Sequence, residues 1–300
     1  MKKIGEVKEN IGKVTLDYSY YSGEDLYSEG ANEDLLLEAV KNYSEKDYEE
    51  LILSYRSWSV MYHLSHSREN IISFLDINKD QDVLEIGSGC GAVTGSLCHM
   101  AGSVTCIELS KKRSLINAYR HREADNLSIL VGNFEDIEEG LTRKFDIITL
   151  IGVLEYAESY IRSSDPYSDL LGKIKKHLKP GGRLVIAIEN KYGLKYFAGC
   201  KEDHTDRYFE GIEGYSSSRG VRTFSREGLL KLLEKEGLKG RFYYPYPDYK
   251  LCSAVYSDEW LPKVGELDRN LVNYDMDRVV CFDEKKAFDE LIREGRFADH

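Results

Sequence analysis

The sequence predicts a doubly wound, Rossmann-like α/β fold, and three observations carry that expectation. Residues 83–91 read Val-Leu-Glu-Ile-Gly-Ser-Gly-Cys-Gly, a buried strand running into a glycine-built turn. Downstream, apolar runs alternate with amphipathic stretches, β then α, to about residue 190. Alternation of that kind implies parallel strands joined by right-handed crossovers, with ligands at the carboxyl ends of the strands.

The elements follow in order. Val14, Leu16, Tyr18 and Tyr20 alternate as strand residues do, and Asn32 precedes a helix through Val40. Tyr55 to Leu75 reads as a helix leading into the glycine turn. Beyond the turn, Val93, Leu97 and Met100 recur at helical spacing, and Val104 to Ile107 form the next apolar run. Ser110 then caps a helix carrying Leu115, Ile116 and Tyr119. Strands are expected at Ser128 to Val131 and Phe145 to Leu150. A helix bearing Leu170, Leu171, Ile174 and Leu178 follows, stopped by Pro180-Gly181-Gly182 ahead of a strand over Arg183 to Ile188. Lys191 to Gly220 is rich in glycine, charge and aromatics and reads as a long ordered insertion or lid. Ser225 caps a helix with Leu229, Leu230, Leu232 and Leu233 that stops at Gly237, and Arg241 to Tyr246 and Leu251 to Tyr256 read as an antiparallel pair. Val279 to Phe282 suggests a strand, and Ala287, Phe288, Leu291 and Ile292 an amphipathic helix. No clear cap follows Ile292, so the chain reads as the front portion of a longer protein.

Composition is that of a soluble enzyme. Three hundred residues at 42% hydrophobic can bury one α/β core plus additions. No apolar run approaches the roughly 20 residues that span a bilayer, and the charged start Met1 to Asn10 is no signal peptide, which points to the cytoplasm. Forty-one basic against 52 acidic residues, a net charge of −11, argue against a nucleic-acid partner. Six cysteines, at 90, 98, 106, 200, 252 and 281, form no CxxC pair and read as buried small hydrophobes in a reducing compartment. His63 and His66 face one side of a helical segment without a third ligand motif, so no metal is expected.

Two cofactor classes fit the glycine turn. Gly87, Gly89 and Ala92 satisfy a dinucleotide fingerprint, and Glu108, 19 residues beyond Gly89, can accept the ribose hydroxyls of either class. Glu85 separates them: two residues before the first glycine, a carboxylate suits a ligand with an ammonium group better than a pyrophosphate.

The order of motifs resembles a class I S-adenosylmethionine-dependent methyltransferase. Glu85 to Gly91, including Gly87, Ser88 and Gly89, resembles the family's first motif at the methionine end of the cofactor. Glu108-Leu109 resembles its ribose-binding acidic site. Gly132-Asn133-Phe134-Glu135-Asp136 resembles the adenine-side loop, with Asn133 where the family often has aspartate. Phe145 to Tyr156 resembles the fourth strand and the segment beside the transferring methyl, which assigns Leu150 and Ile151 to the cofactor. Leu178 to Ile188 resembles the turn into the fifth strand. The resemblance implies a mixed seven-stranded sheet whose last strand is antiparallel, with S-adenosylmethionine as cofactor and S-adenosylhomocysteine as product. Tyr62 and Arg68 can reach the cofactor carboxylate from the preceding segment. The implied organisation is an N-terminal extension over 1–60 covering the active site, a cofactor-binding domain over 61–257 with 191–220 as lid or acceptor insertion, and a C-terminal strand and helix over 258–300.

A narrower similarity, carried by residues 189–199, 202–204 and 242–249, is to bacterial methyltransferases associated with cell-surface glycans, sometimes joined to further domains. It implies a small-molecule or glycan-linked acceptor. The Asn/Asp-Pro-Pro-aromatic signature of methyltransferases acting on base amines is not present after the fourth strand, which argues against nucleic-acid methylation; for the small or glycan-linked acceptor, oxygen is favoured over nitrogen. A sulfonium methyl is already electrophilic, and the enzyme chiefly aligns a nucleophile and excludes water. His204 is the first candidate base, with Asp203 and Asp206 flanking it; Glu155 and Glu189 are alternatives at strand ends, and Asn190 can orient an acceptor. The rival reading is a cofactor-binding regulatory or scaffolding module without turnover, and a dehydrogenase is third. Tyr243, Tyr244, Tyr246 and Tyr249 suit either a carbohydrate surface or ordinary hairpin packing, and packing is the more economical.

Overall fold

A computed structural model describes residues 8–25, 27–28, 30–269 and 278–300. The chain divides into two compact units, Met1–Val153 with Lys173–Ile186, and Leu154–Gly172 with Ala187–His300.

The first unit is built on a seven-stranded sheet. In chain order its strands are β1 (Lys8–Ile11), β2 (Val14–Tyr20), β3 (Asp82–Ile86), β4 (Ser103–Glu108), β5 (Leu127–Gly132), β6 (Phe145–Ile151) and β7 (Leu178–Ala187). Their spatial order is β1-β2-β5-β4-β3-β6-β7, and β2, β5, β4, β3 and β6 run parallel. Central parallel strands are covered on both faces and therefore read as continuous apolar runs. Val83, Leu84, Ile86, Val104, Ile107, Ile147, Ile148 and Leu150 are all buried accordingly. The register sets Glu85 opposite Cys106 on β4 and Thr149 on β6. A second apolar cluster lies around Leu36, Val40, Tyr48, Leu51, Val60, Leu64 and Ile116.

Seven strands and a mixed sheet are as expected, but the antiparallel strand is the first in the chain, not the last. β1 pairs antiparallel with β2 through a tight turn in which Gly12 has φ +59°, and β2 extends the parallel ladder alongside β5. Val14, Leu16 and Tyr18 on β2 are buried, as their alternation predicts. The late pair, β8 (Tyr243–Tyr246) and β9 (Ala254–Ser257), forms its own two-stranded sheet. Pro245 lies within β8, and a residue without an N–H confines a strand to an edge.

Two further expectations are corrected. Tyr55 to Leu75 is not one helix but breaks into Trp58–Leu64, a 3-10 turn over His66–Glu69 and Asn70–Ser73. Ser65 is extended, and its hydroxyl accepts from the Ser67 N–H, the local competition by which serine ends helices. Val279 to Phe282 forms no strand. Among the described residues its one backbone bond, Cys281 N–H to the Ala198 carbonyl at 3.0 Å, is too little for a ladder, and Val279 and Val280 stay exposed. The helix after it, Glu284–Arg293, forms with Asp283 as its cap.

In the second unit, Ser225 caps the helix Arg226–Lys235 through the Gly228 N–H, as expected. Residues 191–220 hold one short helix, Leu194–Phe197, and an isolated bridge between Lys201 and Tyr208 that closes a loop around residues 202–207. Leu194, Tyr246, Leu267, Phe288 and Phe297 make this unit's cluster of buried apolar residues.

Candidate active site

Gly87, Gly89 and Gly91 all adopt positive φ, at +71°, +52° and +76°, in the turn that leaves β3. The three are constrained differently. A Cβ on Gly87 would strike Val153 and one on Gly91 would strike Asn117, whereas one on Gly89 would point into open space. Gly89 is therefore where the backbone itself is presented to a ligand. Ser88, between them, is buried.

Glu108, at the end of β4, is buried and locked by two backbone donors: its Oε2 accepts from Gly89 N–H at 2.8 Å and its Oε1 from Ser110 N–H at 2.9 Å. Burial raises its pKa against those hydrogen bonds. Each carboxylate oxygen keeps a second lone pair for a ribose hydroxyl. Leu109 beside it is half-buried. Glu108→Ala is expected to weaken cofactor binding by about 1.5–3 kcal/mol, roughly 10- to 150-fold. Calorimetry on the folded variant checks this, and an unchanged affinity contradicts the assignment.

Glu85 faces the protein interior. Its Oε2 accepts from Thr94 Oγ1 at 2.6 Å and from Cys106 Sγ at 3.3 Å, and Asn117 donates to Thr94 in turn. Burial pushes its pKa up to about 7, the Thr94 and Cys106 hydrogen bonds opposing. A carboxyl raised in the folded state favours folding while protonated, so its contribution is full below the unfolded value near 4.5 and is lost as pH rises to about 7. Glu85→Gln is expected to flatten that part of the stability curve, a difference on the order of 3 kcal/mol by pH 8. Thermal unfolding of both proteins from pH 4 to 8 measures it, and parallel curves would show that Glu85 is already ionised.

Asn133 caps the helix Phe134–Glu138 by accepting from Glu135 N–H at 3.2 Å, and Phe134 is buried. Leu150 is fully buried opposite Ile86, while Ile151 is half-buried at the end of β6. Arg68 lies over the Tyr62 ring at 4.2 Å and hydrogen-bonds its hydroxyl at 3.3 Å, so these two residues meet as a pair. The N-terminal segment reaches this region: Tyr20 pairs with Gly132 at the end of β5, and Asp25 accepts from the backbone of Lys111 and Lys112 just after Glu108.

The second unit gathers three of the four predicted acceptor-side residues. Glu155 and Glu189, four and two residues beyond the carboxyl ends of β6 and β7, converge with His204. His204 Nε2 lies 3.6 Å from Glu155 Oε1 and 3.8 Å from Glu189 Oε2, and all three side chains are buried. Among the described residues, Glu155 Oε2 and Glu189 Oε2 have no hydrogen-bond partner. Burial alone would lower the His204 pKa, but hydrogen bonds to Glu155 and Glu202 and the Glu189 charge raise it to about 10. Burial raises the Glu155 pKa. As it stands His204 keeps its proton near neutrality, so the carboxylates are the better acceptors. The flanking residue that fixes the imidazole is Glu202, not Asp203 or Asp206. Its Oε1 sits 2.9 Å from Nδ1 and also accepts from Tyr215, and its Oε2 accepts from the backbone of His204 and Thr205.

Asp203 turns instead to Lys195, at 2.9 Å, to Lys250 and to the Tyr196 hydroxyl; although burial alone would raise its pKa, the two lysines hold it well below the usual carboxylate range. Asp206 pairs with Lys201 at 2.8 Å. Asn190 is occupied elsewhere: its Nδ2 donates to the Asp299 carbonyl and its Oδ1 accepts from Tyr192 N–H, both at 3.0 Å. Sequence reasoning missed the parts played by Glu202 and by Lys250, whose Nζ lies 3.2 Å from Glu189 Oε1. Glu202 had a signal, two residues before His204; Lys250 had none.

Residues 84–184 match the family model described as "Methyltransferase domain". The match covers about a third of the chain and carries the same motifs, which supports the resemblance to the class I S-adenosylmethionine-dependent methyltransferases, a family whose cofactor is S-adenosylmethionine. It is 27% identical over 171 residues to demethylspheroidene O-methyltransferase of Rhodobacter capsulatus, covering 56% of this chain and 39% of that one. It is 24% identical over 174 residues to the ubiquinone biosynthesis O-methyltransferase of Xanthomonas oryzae, covering 55% of this chain and 67% of that one. Among solved structures it is similar to a putative methyltransferase in complex with the Trm112 activator of Haloferax volcanii, with 20% identity, 66% and 76% coverage and a TM-score of 0.44. The chain thus spans about two-fifths of the length of the first of these relatives.

The residues present fit the cofactor. Gly89 offers an open backbone face, and Glu108 a fixed carboxylate with unused lone pairs. Among the described residues, no helix is long and apolar enough to cross a membrane.

Proposed function

We propose that this protein transfers a methyl group to a hydroxyl oxygen of a small-molecule or glycan-linked acceptor. The observation that carries the reading is the buried trio of Glu155, Glu189 and His204, in which Glu155 Oε2 and Glu189 Oε2 accept no hydrogen bond from the described residues. A buried carboxylate oxygen without a hydrogen bond costs stability, and an acceptor hydroxyl is a donor that would satisfy one. The relatives named as O-methyltransferases support oxygen over nitrogen.

S-adenosylmethionine, when bound, supplies an electrophilic methyl on sulfonium. Glu108 holds ribose hydroxyls, the Gly87 to Gly91 turn receives the methionine end, and Tyr62 and Arg68 take the carboxylate. Asn133 and Phe134 border the adenine, and Ile151 lies toward the methyl. Glu155 or Glu189 accepts the hydroxyl proton as charge leaves the acceptor oxygen. His204, held by Glu202, donates to and orients those carboxylates.

Residues 1–60 are proposed to cover the cofactor, with support from Tyr20 and Asp25 at the ends of β5 and β4. Residues 191–220 are proposed as the acceptor insertion, supported by His204 and Glu202 within it. A cytoplasmic location belongs to the same reading, and cell fractionation tests it.

The test is incubation with labelled S-adenosylmethionine and a panel of phenolic, sugar and amine acceptors, followed by mass spectrometry. Methylated hydroxyl products are expected. Methylated amines alone would move the reaction to nitrogen, and cofactor binding without any product would favour a scaffolding module.

A further inference from the structure

Glu155, Glu189 and His204 each turn one ligand-type atom toward the others, and these atoms all lie within 4.8 Å of one another. Ligands held at about 2.1 Å by a divalent ion stand about 3 Å apart in cis and about 4.2 Å apart in trans. The separations of 3.6 and 3.8 Å from His204 Nε2 fall inside that range. Glu202 Oε1, 2.9 Å from Nδ1, holds the ring proton on that side, so an ion that displaces the Nε2 proton meets a lone pair aimed between the two carboxylates. A carboxylate behind a histidine in this way is the usual support of a metal-bound imidazole. Glu202 is itself fixed by the backbone of His204 and Thr205 and by Tyr215.

The charge balance points the same way. Five carboxylates, Glu155, Glu189, Glu202, Asp203 and Asp248, stand around two lysines, Lys195 and Lys250. Lys250 approaches Glu189 Oε1 and leaves Oε2 facing His204. Glu155 Oε2 is buried and has no hydrogen-bond partner among the described residues. One imidazolium does not neutralise this surplus, and a divalent cation supplies twice its charge.

We propose that Glu155, Glu189 and His204 form a site for a divalent first-row transition ion, Mn²⁺ being the best match. Two carboxylates and one imidazole suit a borderline ion better than an all-oxygen Mg²⁺ site, and three protein ligands leave positions open. The part assigned to the ion rests on the methyl-transfer reading: it holds the acceptor hydroxyl, whose proton passes to the outer oxygen of Glu155. The O–C bond then forms as the S–C bond breaks, and the electron pair stays on sulfur. The metal site itself does not depend on that reading. Sequence spacing could not reveal it, because the ligands come from three separate segments.

The test is titration of chelator-treated protein with Mn²⁺, the free ion being followed by electron paramagnetic resonance. One Mn²⁺ per chain is expected, with affinity at least about tenfold weaker in Glu155→Gln and in Glu189→Gln. His66→Ala, in a second and more exposed group with Glu45 and Glu69, is expected to bind as wild type does. No saturable Mn²⁺ binding in folded protein overturns the inference, as does binding that survives both glutamine variants. Where His204→Ala fails to fold, the two near-isosteric glutamine variants carry the test. Calorimetry with S-adenosylmethionine on the same samples separates the two readings: cofactor binding without Mn²⁺ binding leaves methyl transfer standing, and Mn²⁺ binding without cofactor binding leaves the metal site standing.

Discussion

Gly89→Val is expected to abolish S-adenosylmethionine binding while leaving the protein folded. The Gly89 Cβ direction meets nothing within 4 Å among the described residues, so the branch point of the new side chain has room. It fills the space into which this backbone is presented. The cost to the fold is the positive φ of +52°, about 1–2 kcal/mol for a residue with a Cβ and somewhat more for a branched one. The loss of affinity should be on the order of 100-fold or more, about 2.8 kcal/mol. Gly91→Ala provides the contrast: its methyl would strike the buried Asn117 amide, so the fold itself should weaken. Cofactor calorimetry and thermal unfolding of both variants separate the two outcomes. A Gly89→Val protein that binds cofactor normally would remove the cradle from this turn.

Glu155→Gln and Glu189→Gln should spare cofactor binding and each lower methyl transfer by about 10²- to 10⁴-fold, the range for losing a positioned proton acceptor. Glutamine keeps the volume and one acceptor oxygen, so packing around His204 should survive. The readout is single-turnover transfer to whichever acceptor the panel identifies, with cofactor affinity measured beside it. Full turnover in both variants would exclude these carboxylates from the reaction, and a parallel loss of cofactor binding would make their effect structural.

The cofactor half of the site was legible because its residues are nearly contiguous. A strand, a glycine turn and a carboxylate 19 residues on are local features, and Gly89 and Glu108 do meet through a backbone hydrogen bond. Strand-end carboxylates at 155 and 189 were legible for the same reason, since the carboxyl edge of a parallel sheet is where ligands gather. Less legible was anything that depends on which distant segments meet. The edge beside β5 is filled by β2, whose alternation says only that one face is buried and not which neighbour it pairs with. His204 was visible as a histidine in a polar segment, but its state is set by Glu155, Glu189 and Glu202, which surround it with negative charge. Lys250 arrives from a tyrosine-rich stretch 46 residues further on, and nothing local announces its approach to Glu189.

The most direct measurement is calorimetric titration of the purified protein with S-adenosylmethionine, S-adenosylhomocysteine and NADH in parallel. The account predicts one site per chain for each of the first two, weakened in Glu108→Ala, and no heat from NADH. Binding of NADH without S-adenosylmethionine, or no binding of either S-adenosyl compound to folded protein, would contradict it.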